Sequence, residues 1–279
     1  MNIQQQAEID RFLSSGDHDD ILFKIWPGNS VIERCINGDA ALRSALISAV
    51  LIRAGQATVS ACQDYSDPDI NVRAKFSPMV QGLFSQSEQT IILDMLERSV
   101  VFLVPATINT TIEKASWPRT AWNLANIYLA SLGFKTLAEE TPAIVGLSEE
   151  TTCYVSMEYF RNQNPFEDYV MHEAAHIFHN CKPVMIGLPP TRRREWLLDI
   201  DYAMRETFAY SCEAYSRILE LGKTRSERNR LLSEHAEGAM PPDDRVDEDE
   251  YIDILREAVS ARNGWKRILE RCSPKKPTA

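Results

Sequence analysis

His172, Glu173 and His176 form the pattern His-Glu-Ala-Ala-His. Two histidines four positions apart lie one above the other on the same side of an α-helix, so both imidazoles can bind one zinc ion at about 2.0–2.1 Å. Zinc lowers the pKa of a bound water molecule toward about 7, and a neighbouring carboxylate can take its proton. The pattern therefore predicts a zinc-dependent hydrolytic site with His172 and His176 as ligands and Glu173 as the general base.

A catalytic zinc ion has three protein ligands and one open position, so the chain must supply a third ligand. Glu206 is the predicted third ligand, because it lies in the middle of a later stretch that reads as one long helix. Glu213 lies on nearly the same face of that helix and remains the alternative. The usual role of a lone glutamate on a helix is a solvated face or an ion pair.

A zinc-bound imidazole normally donates its second N–H to a carboxylate or carbonyl group. Asp199 and Glu213, both near the Glu206 face, are the candidates for that partner. Tyr210 could stabilise a developing oxyanion, although a tyrosine on a helix more often fills the core. These residues are predicted to support the site.

His179 repeats the helical face of His172 but lies about 10 Å further along the axis, too far to share one metal ion with the other two histidines. A contact to substrate or to a ligand is one interpretation. The other is a histidine near a helix C-terminus, where the helix dipole favours its charge.

Two other interpretations compete with the zinc site. Glu173 and His176 also form a Glu-x-x-His unit of the kind that helical bundles use for di-iron or di-manganese sites, but such sites need a second unit, and the chain has none. Ordinary histidines around a glutamate on a helix are the remaining alternative.

The motif followed on a later helix by Glu206-x-Phe208-Ala209 resembles the gluzincin group of zinc metallopeptidases, in which a glutamate from a second helix is the third ligand. The resemblance covers Asn164 to Tyr215. It implies a zincin-like core, in which a small sheet packs on the two ligand-bearing helices and its edge strand lines the cleft. Some members carry an aspartate four residues after the third ligand, where this chain has Tyr210.

The resemblance thus implies a zinc metallopeptidase that acts on a peptide or protein. The segment Thr151–Met157 is the candidate for the edge strand, which could pair with an extended peptide through main-chain hydrogen bonds. The alternative is a non-catalytic regulatory or binding module on the same fold, whose metal is structural or lost. A fourth protein ligand would favour that alternative.

The surrounding elements must place the motif on a helix. Asn164 as a cap, Pro165 at the first position and Glu167 three residues after the cap predict a helix that continues to about Asn180. Short β-branched or aromatic runs at Pro142–Gly146 and at the candidate edge strand predict one or two strands. The other predicted helices are 39–54, 89–100, 118–133, 191–221, 226–239 and 249–272.

A chain of 279 residues suits one catalytic core with helical additions. We predict a mainly helical α+β fold with a helical N-terminal region (1–100), a zincin-like catalytic core (101–222) and a helical C-terminal region (223–279). The sequence does not indicate the oligomeric state.

The net charge of −10 argues against a nucleic-acid partner, because neutralising phosphates requires a basic surface. The polar N-terminus lacks the pattern of a secretory signal, and no apolar run approaches the length of a membrane span. The six cysteines contain no C-x-x-C pair and read as reduced thiols. The prediction is a cytoplasmic protein without a membrane partner.

Overall fold

A computed structural model describes residues 2–18, 24–55, 71–138, 146–149, 151–161, 164–190 and 194–274. The protein is mainly helical and has a small mixed sheet of three strands, consistent with the predicted α+β class. The helices are α1 (Ile3–Ser15), α2 (Val31–Gly55), α3 (Val72–Leu83), α4 (Gln86–Ser99), α5 (Ile108–Lys114), α6 (Pro118–Ser131), α7 (Tyr169–Asn180), α8 (Arg205–Leu221), α9 (Arg225–Ala236), α10 (Glu248–Ser260) and α11 (Gly264–Cys272). The strands are β1 (Val100–Leu103), β2 (Gly146–Glu149) and β3 (Thr152–Ser156).

The chain divides into two compact units whose segments interleave. The first contains 1–68, 101–149 and 154–161, and the second contains 69–100, 150–153 and 162–279. The sequence analysis instead divides the chain into three consecutive regions. The two divisions differ because helices group by the apolar faces they bury: α3 packs against α11 although the two lie far apart in the sequence.

The first unit is built on α2, which packs against α1, α5 and α6. Phe12, Leu46, Leu124 and Leu129 are fully buried in its core. Within the described residues α2 is the one helix long and apolar enough to cross a membrane, with a mean hydropathy of 1.4 over an 18-residue window that is 28% buried. From the sequence, no apolar run of membrane-spanning length was expected. Core helices of soluble proteins meet the same criterion, so localisation remains a prediction.

The sheet has the order β1-β3-β2. The strand predicted at 151–157 is present as β3, but it is the central strand, and the expectation of an edge strand there is wrong. Both edges of β3 are already hydrogen-bonded, one to β1 and the other to β2. The strand β1 was not predicted from the sequence. The run at 142–145 lies outside the described residues, and Gly146 begins β2.

The helix that carries the histidines begins later than predicted. Asn164 accepts a hydrogen bond from the backbone N–H of Phe166 through its side chain (3.1 Å) and from that of Glu167 through its carbonyl (3.3 Å), which makes a turn. The helix α7 begins at Tyr169, capped by the side chain of Asp168. The asparagine therefore caps a turn, and the aspartate caps the helix.

The long helix predicted over 191–221 is also shorter, because α8 begins only at Arg205. Upstream of it, the N–H of Leu197 donates to the carbonyl of Cys181 (2.9 Å), and the N–H of Leu198 donates to a carbonyl near the end of α7 (2.8 Å). Both leucines are buried. These tertiary hydrogen bonds satisfy carbonyls that the end of α7 leaves free, and they replace the local bonds of a continuous helix.

The last predicted helix, 249–272, is divided into α10 and α11. Asn263 caps α11 by accepting a hydrogen bond from the N–H of Lys266 (3.1 Å). Gly264 follows at a point where a Cβ atom would overlap the ring of Tyr215. The break lets α11 turn back and pack against α8, α10 and α3.

Candidate metal centre

The start of α7 fixes the position of the first histidine. Asp168 is buried, and its side chain accepts a hydrogen bond from the N–H of Met171 (3.2 Å) and pairs with the ammonium group of Lys75. Its carbonyl accepts the backbone N–H of His172 (3.0 Å). These contacts of Asp168 fix the first turn of α7. His172 and His176 follow on one side of the helix.

The helix α8 packs along α7 and brings Glu206, its second residue, to the two histidines. The Nε2 atoms of His172 and His176 are 3.0 Å apart. The Oε2 atom of Glu206 is 3.7 Å from Nε2 of His172 and 3.4 Å from Nε2 of His176. These three residues form a group whose ligand atoms converge.

The three separations fit the donor set of a tetrahedral metal ion. Ligand atoms bound to zinc at about 2.0–2.1 Å in tetrahedral geometry lie about 3.3 Å from one another. The observed edges of 3.0, 3.4 and 3.7 Å bracket that value. Two imidazoles and one carboxylate also suit a borderline divalent ion in charge and softness.

Glu213 occupies a different position from Glu206. Its Oε2 atom is 3.3 Å from Nδ1 of His172, on the opposite side of the ring from the converging donors, and its other oxygen accepts the backbone N–H of Asp168. Of the two alternatives for the third ligand, only Glu206 has an oxygen beside both Nε2 atoms. Glu213 instead orients His172, as the carboxylate partner of a metal-bound imidazole does.

His179 makes the corresponding contact to His176. Its Nε2 atom is 3.2 Å from Nδ1 of His176. Burial and the nearby charges of His176 and Arg205 lower the pKa of His179 to about 3, so it is neutral at pH 7. A neutral His179 allows two tautomers at this contact, and the one with the proton on Nδ1 of His176 leaves the Nε2 lone pair of His176 directed at the converging donors.

The charges of the three candidate ligands are strongly coupled. Burial opposes protonation of His172, but its contacts with Glu206 and Glu213 outweigh burial and raise its pKa to about 10. Burial likewise opposes ionisation of Glu206, while both histidines hold its pKa well below the usual range. The cluster thus stabilises positive charge between its donors, and a divalent cation satisfies the same requirement.

Glu173 and Tyr210 lie beside the cluster. Glu173 is buried, and burial together with the nearby carboxylate of Glu173 raises the pKa of Tyr169, one turn before it. The ring of Tyr210 contacts that of His172 edge-on, with centroids 4.3 Å apart. Burial and the nearby Glu213 and Glu206 raise the pKa of Tyr210 to about 12, so its hydroxyl keeps its proton at pH 7.

Asp199 is the predicted site residue that the structure does not bring to the cluster. It is exposed, and none of the described hydrogen bonds or ion pairs of the two ligand histidines involves it. It precedes the start of α8 and so does not share a helix face with Glu206. The prediction assumed a helix that continues upstream of Arg205.

A cleft of about 480 Å³ opens at the donor cluster. His176 and Glu206 form part of its wall, whereas Glu173 is not among the described residues that line it. The other lining residues are His179, Asn180, Tyr202, Ala203, Arg205 and Arg245. The cleft therefore gives a substrate access to one side of the candidate metal position.

No family model, curated protein or solved structure matches this chain. Its function is therefore inferred from the chemistry of the site.

Sequence reasoning missed several residues around the cluster. Asp168 could have been found as a cap, because it lies four residues before His172 and is a favoured capping type. Tyr169 lies one turn before Glu173 on the same helix, a spacing that also permits contact. Lys75 and Arg245 come from distant segments, and nothing in their local sequence marks them. Arg245 donates to Oε1 of Glu206 at 3.1 Å.

Proposed function

We propose that this protein is a zinc-dependent metallopeptidase, in which His172, His176 and Glu206 hold the metal and Glu173 is the general base. The observation that carries the proposal is the convergence of two Nε2 atoms and one carboxylate oxygen, 3.0 to 3.7 Å apart, beside a cleft that His176 and Glu206 line. The family resemblance of the motif supports peptide hydrolysis in particular. The same resemblance supports a zincin-like arrangement of α7 and α8.

His172, His176 and Glu206 would hold a zinc ion, which would supply a water molecule of lowered pKa and polarise the scissile carbonyl group. The carboxylate of Glu173 takes a proton from the attacking water and later delivers it to the leaving nitrogen. Tyr169, one turn before Glu173, lies near that carboxylate. Glu213 and His179 hold the two ligand imidazoles in the orientation and tautomer that direct Nε2 at the metal.

The ligand count favours catalysis over the alternative of a regulatory or binding module with a structural metal. The described part of the chain brings three donor residues together and no fourth. A structural zinc site is normally closed by four protein ligands, whereas a catalytic site keeps one position open. The adjacent cleft gives that position access to a substrate.

The test compares the native protein with Glu173→Gln. Zinc content is measured by elemental analysis, and hydrolysis is measured on a peptide library. We expect about one zinc ion per chain in both proteins and a loss of about 10²- to 10⁴-fold in hydrolysis for Glu173→Gln. Glu234→Gln, at an exposed pair with Arg230 on α9, is the matched control and should behave as the native protein.

Two results would count against the proposal. Equal hydrolysis by native and Glu173→Gln protein would remove Glu173 as the base. Stoichiometric zinc without hydrolysis of any peptide would favour the module with a structural metal.

A further inference from the structure

The cleft at the donor cluster carries two arginines with different partners. Arg245 is neutralised: it pairs with Asp243 at 2.6 Å and with Glu206 at 3.1 Å. Arg205 forms no ion pair with any acidic side chain in the described ranges, and its Nε atom is buried without a hydrogen-bond acceptor there. One guanidinium charge in the cleft wall is therefore left uncompensated.

The local structure gives little reason for an arginine at this position. Arg205 is the first residue of α8, where the positive end of the helix dipole disfavours a cation. Its guanidinium carbon lies 5.2 Å from the ring centroid of Tyr202, a side chain that is 83% exposed. An aromatic face orients a guanidinium but does not neutralise it.

Arg205 lines the same cleft as two of the candidate ligands. It is adjacent in sequence to Glu206, and both line the cleft with His176. Its charge also contributes to the lowered pKa of His179, the histidine that contacts His176. A group bound by Arg205 would therefore lie in the same cleft as the candidate ligands His176 and Glu206.

We propose that Arg205 binds a carboxylate of the substrate, so that the cleft selects acidic peptides. This inference rests on the proposed peptidase function. A guanidinium offers paired N–H donors that match the two oxygens of a carboxylate, and no acidic side chain in the described ranges occupies those of Arg205. The carboxylate comes either from an Asp or Glu side chain or from the C-terminus of the peptide, and the same chemistry recognises both.

The net charge of the whole chain does not favour acidic peptides, so a preference for them must come from the cleft itself. With a net charge of −10, the protein surface repels acidic peptides at long range. Within the cleft wall the charge of Arg205 is not paired, and a divalent metal held by His172, His176 and Glu206 would add to the positive potential there. Preference for an acidic peptide would therefore arise inside the cleft and would persist at an ionic strength that screens the outer surface.

The experiment uses four versions of one peptide that the native protein cleaves: with Glu or Gln near the scissile bond, each with a free or an amidated C-terminus. Values of kcat and KM are measured for native protein, Arg205→Gln, Arg205→Lys and Arg225→Gln. Arg225 is a matched control, because it is the first residue of α9 and is exposed. Binding of the same peptides to Glu173→Gln, with and without Arg205→Gln, is measured by fluorescence anisotropy.

We expect native protein to prefer one carboxylate-bearing peptide over its neutral partner by about 10- to 100-fold in kcat/KM, mainly through KM. Arg205→Gln should reduce that ratio to near 1, Arg205→Lys should restore part of it, and Arg225→Gln should leave it unchanged. The Glu/Gln pair and the free/amidated pair identify the source of the carboxylate.

The outcomes separate this inference from the function on which it rests. Hydrolysis without a carboxylate preference, or a preference that Arg205→Gln retains, overturns the role of Arg205 and leaves the peptidase standing. Absence of hydrolysis overturns the peptidase. Carboxylate-dependent binding that is lost with Arg205→Gln would still support the role of Arg205 in that case.

Discussion

Replacing Glu213 by glutamine tests whether this carboxylate orients His172 or binds the metal itself. Its Oε2 atom lies 3.3 Å from Nδ1 of His172, and its side chain is 8% exposed. Glutamine keeps the shape and an acceptor oxygen but removes the charge that favours a strongly basic imidazole. Loss of such a partner costs about 10- to 100-fold in metal affinity, or about 1.4 to 2.7 kcal/mol.

Glu206→Gln provides the comparison, because Glu206 has an oxygen 3.4 and 3.7 Å from the two Nε2 atoms. Removing this charge takes away one of three proposed ligands, so the loss of affinity should exceed that of Glu213→Gln. Zinc affinity is measured by competition with a chromophoric chelator, and Glu234→Gln serves as the exposed control.

The result that would refute these roles is a reversed order. If Glu213→Gln lost zinc more completely than Glu206→Gln, Glu213 would be the ligand and Glu206 the supporting residue. Thermal unfolding of the zinc-free variants excludes a general loss of folding as the cause.

Two further predictions concern the elements that hold the site. Lys75→Met removes the ammonium group from the buried carboxylate of Asp168, and we expect it to lower the free energy of unfolding by about 3–5 kcal/mol in urea titrations. Gly264→Ala places a Cβ atom against Tyr215; the overlap should outweigh the better helix propensity of alanine and destabilise the protein by about 1–3 kcal/mol, measured in the same way.

Each of these has an internal control. Lys266→Met changes an exposed lysine on α11 and should leave the free energy of unfolding within about 0.5 kcal/mol of the native value. Gly55→Ala is the control for Gly264→Ala, because a Cβ atom at Gly55 meets open space. Gly133 is unsuitable as a control, because its φ of 74° strains any side chain. A neutral Lys75→Met would mean that the Asp168 carboxylate is adequately stabilised by its other contacts.

Local signals in the sequence were sufficient for several elements. The helix α6 begins at Pro118 as predicted and ends two residues early, because a proline at the first position acts over a single turn. The helix α9 begins one residue before its predicted start and ends three residues before its predicted end. The spacing of His172 and His176 already implies one shared face once a helix is present, since that relation depends only on helical periodicity.

Only the tertiary structure decided which residues join the two histidines. Sequence spacing favoured Glu206 as the third ligand but left Glu213 as the alternative, because both lie near one face of α8. The packing of α8 against α7 placed one beside the Nε2 atoms and the other beside Nδ1. A difference of a few ångströms in where two helices meet separates these roles, and periodicity carries no information about it.

The same reason explains the errors in helix limits. Polar residues at 164–167 and the stretch before Arg205 are compatible with helix by themselves, but buried hydrogen bonds to other segments outcompete it. Helix propensities amount to less than about 1 kcal/mol per residue, whereas leaving a buried polar group unpaired costs about 1–3 kcal/mol. The amino-acid sequence by itself therefore determined that the histidine pair and Glu173 would share one helix, and packing determined which residues surround them.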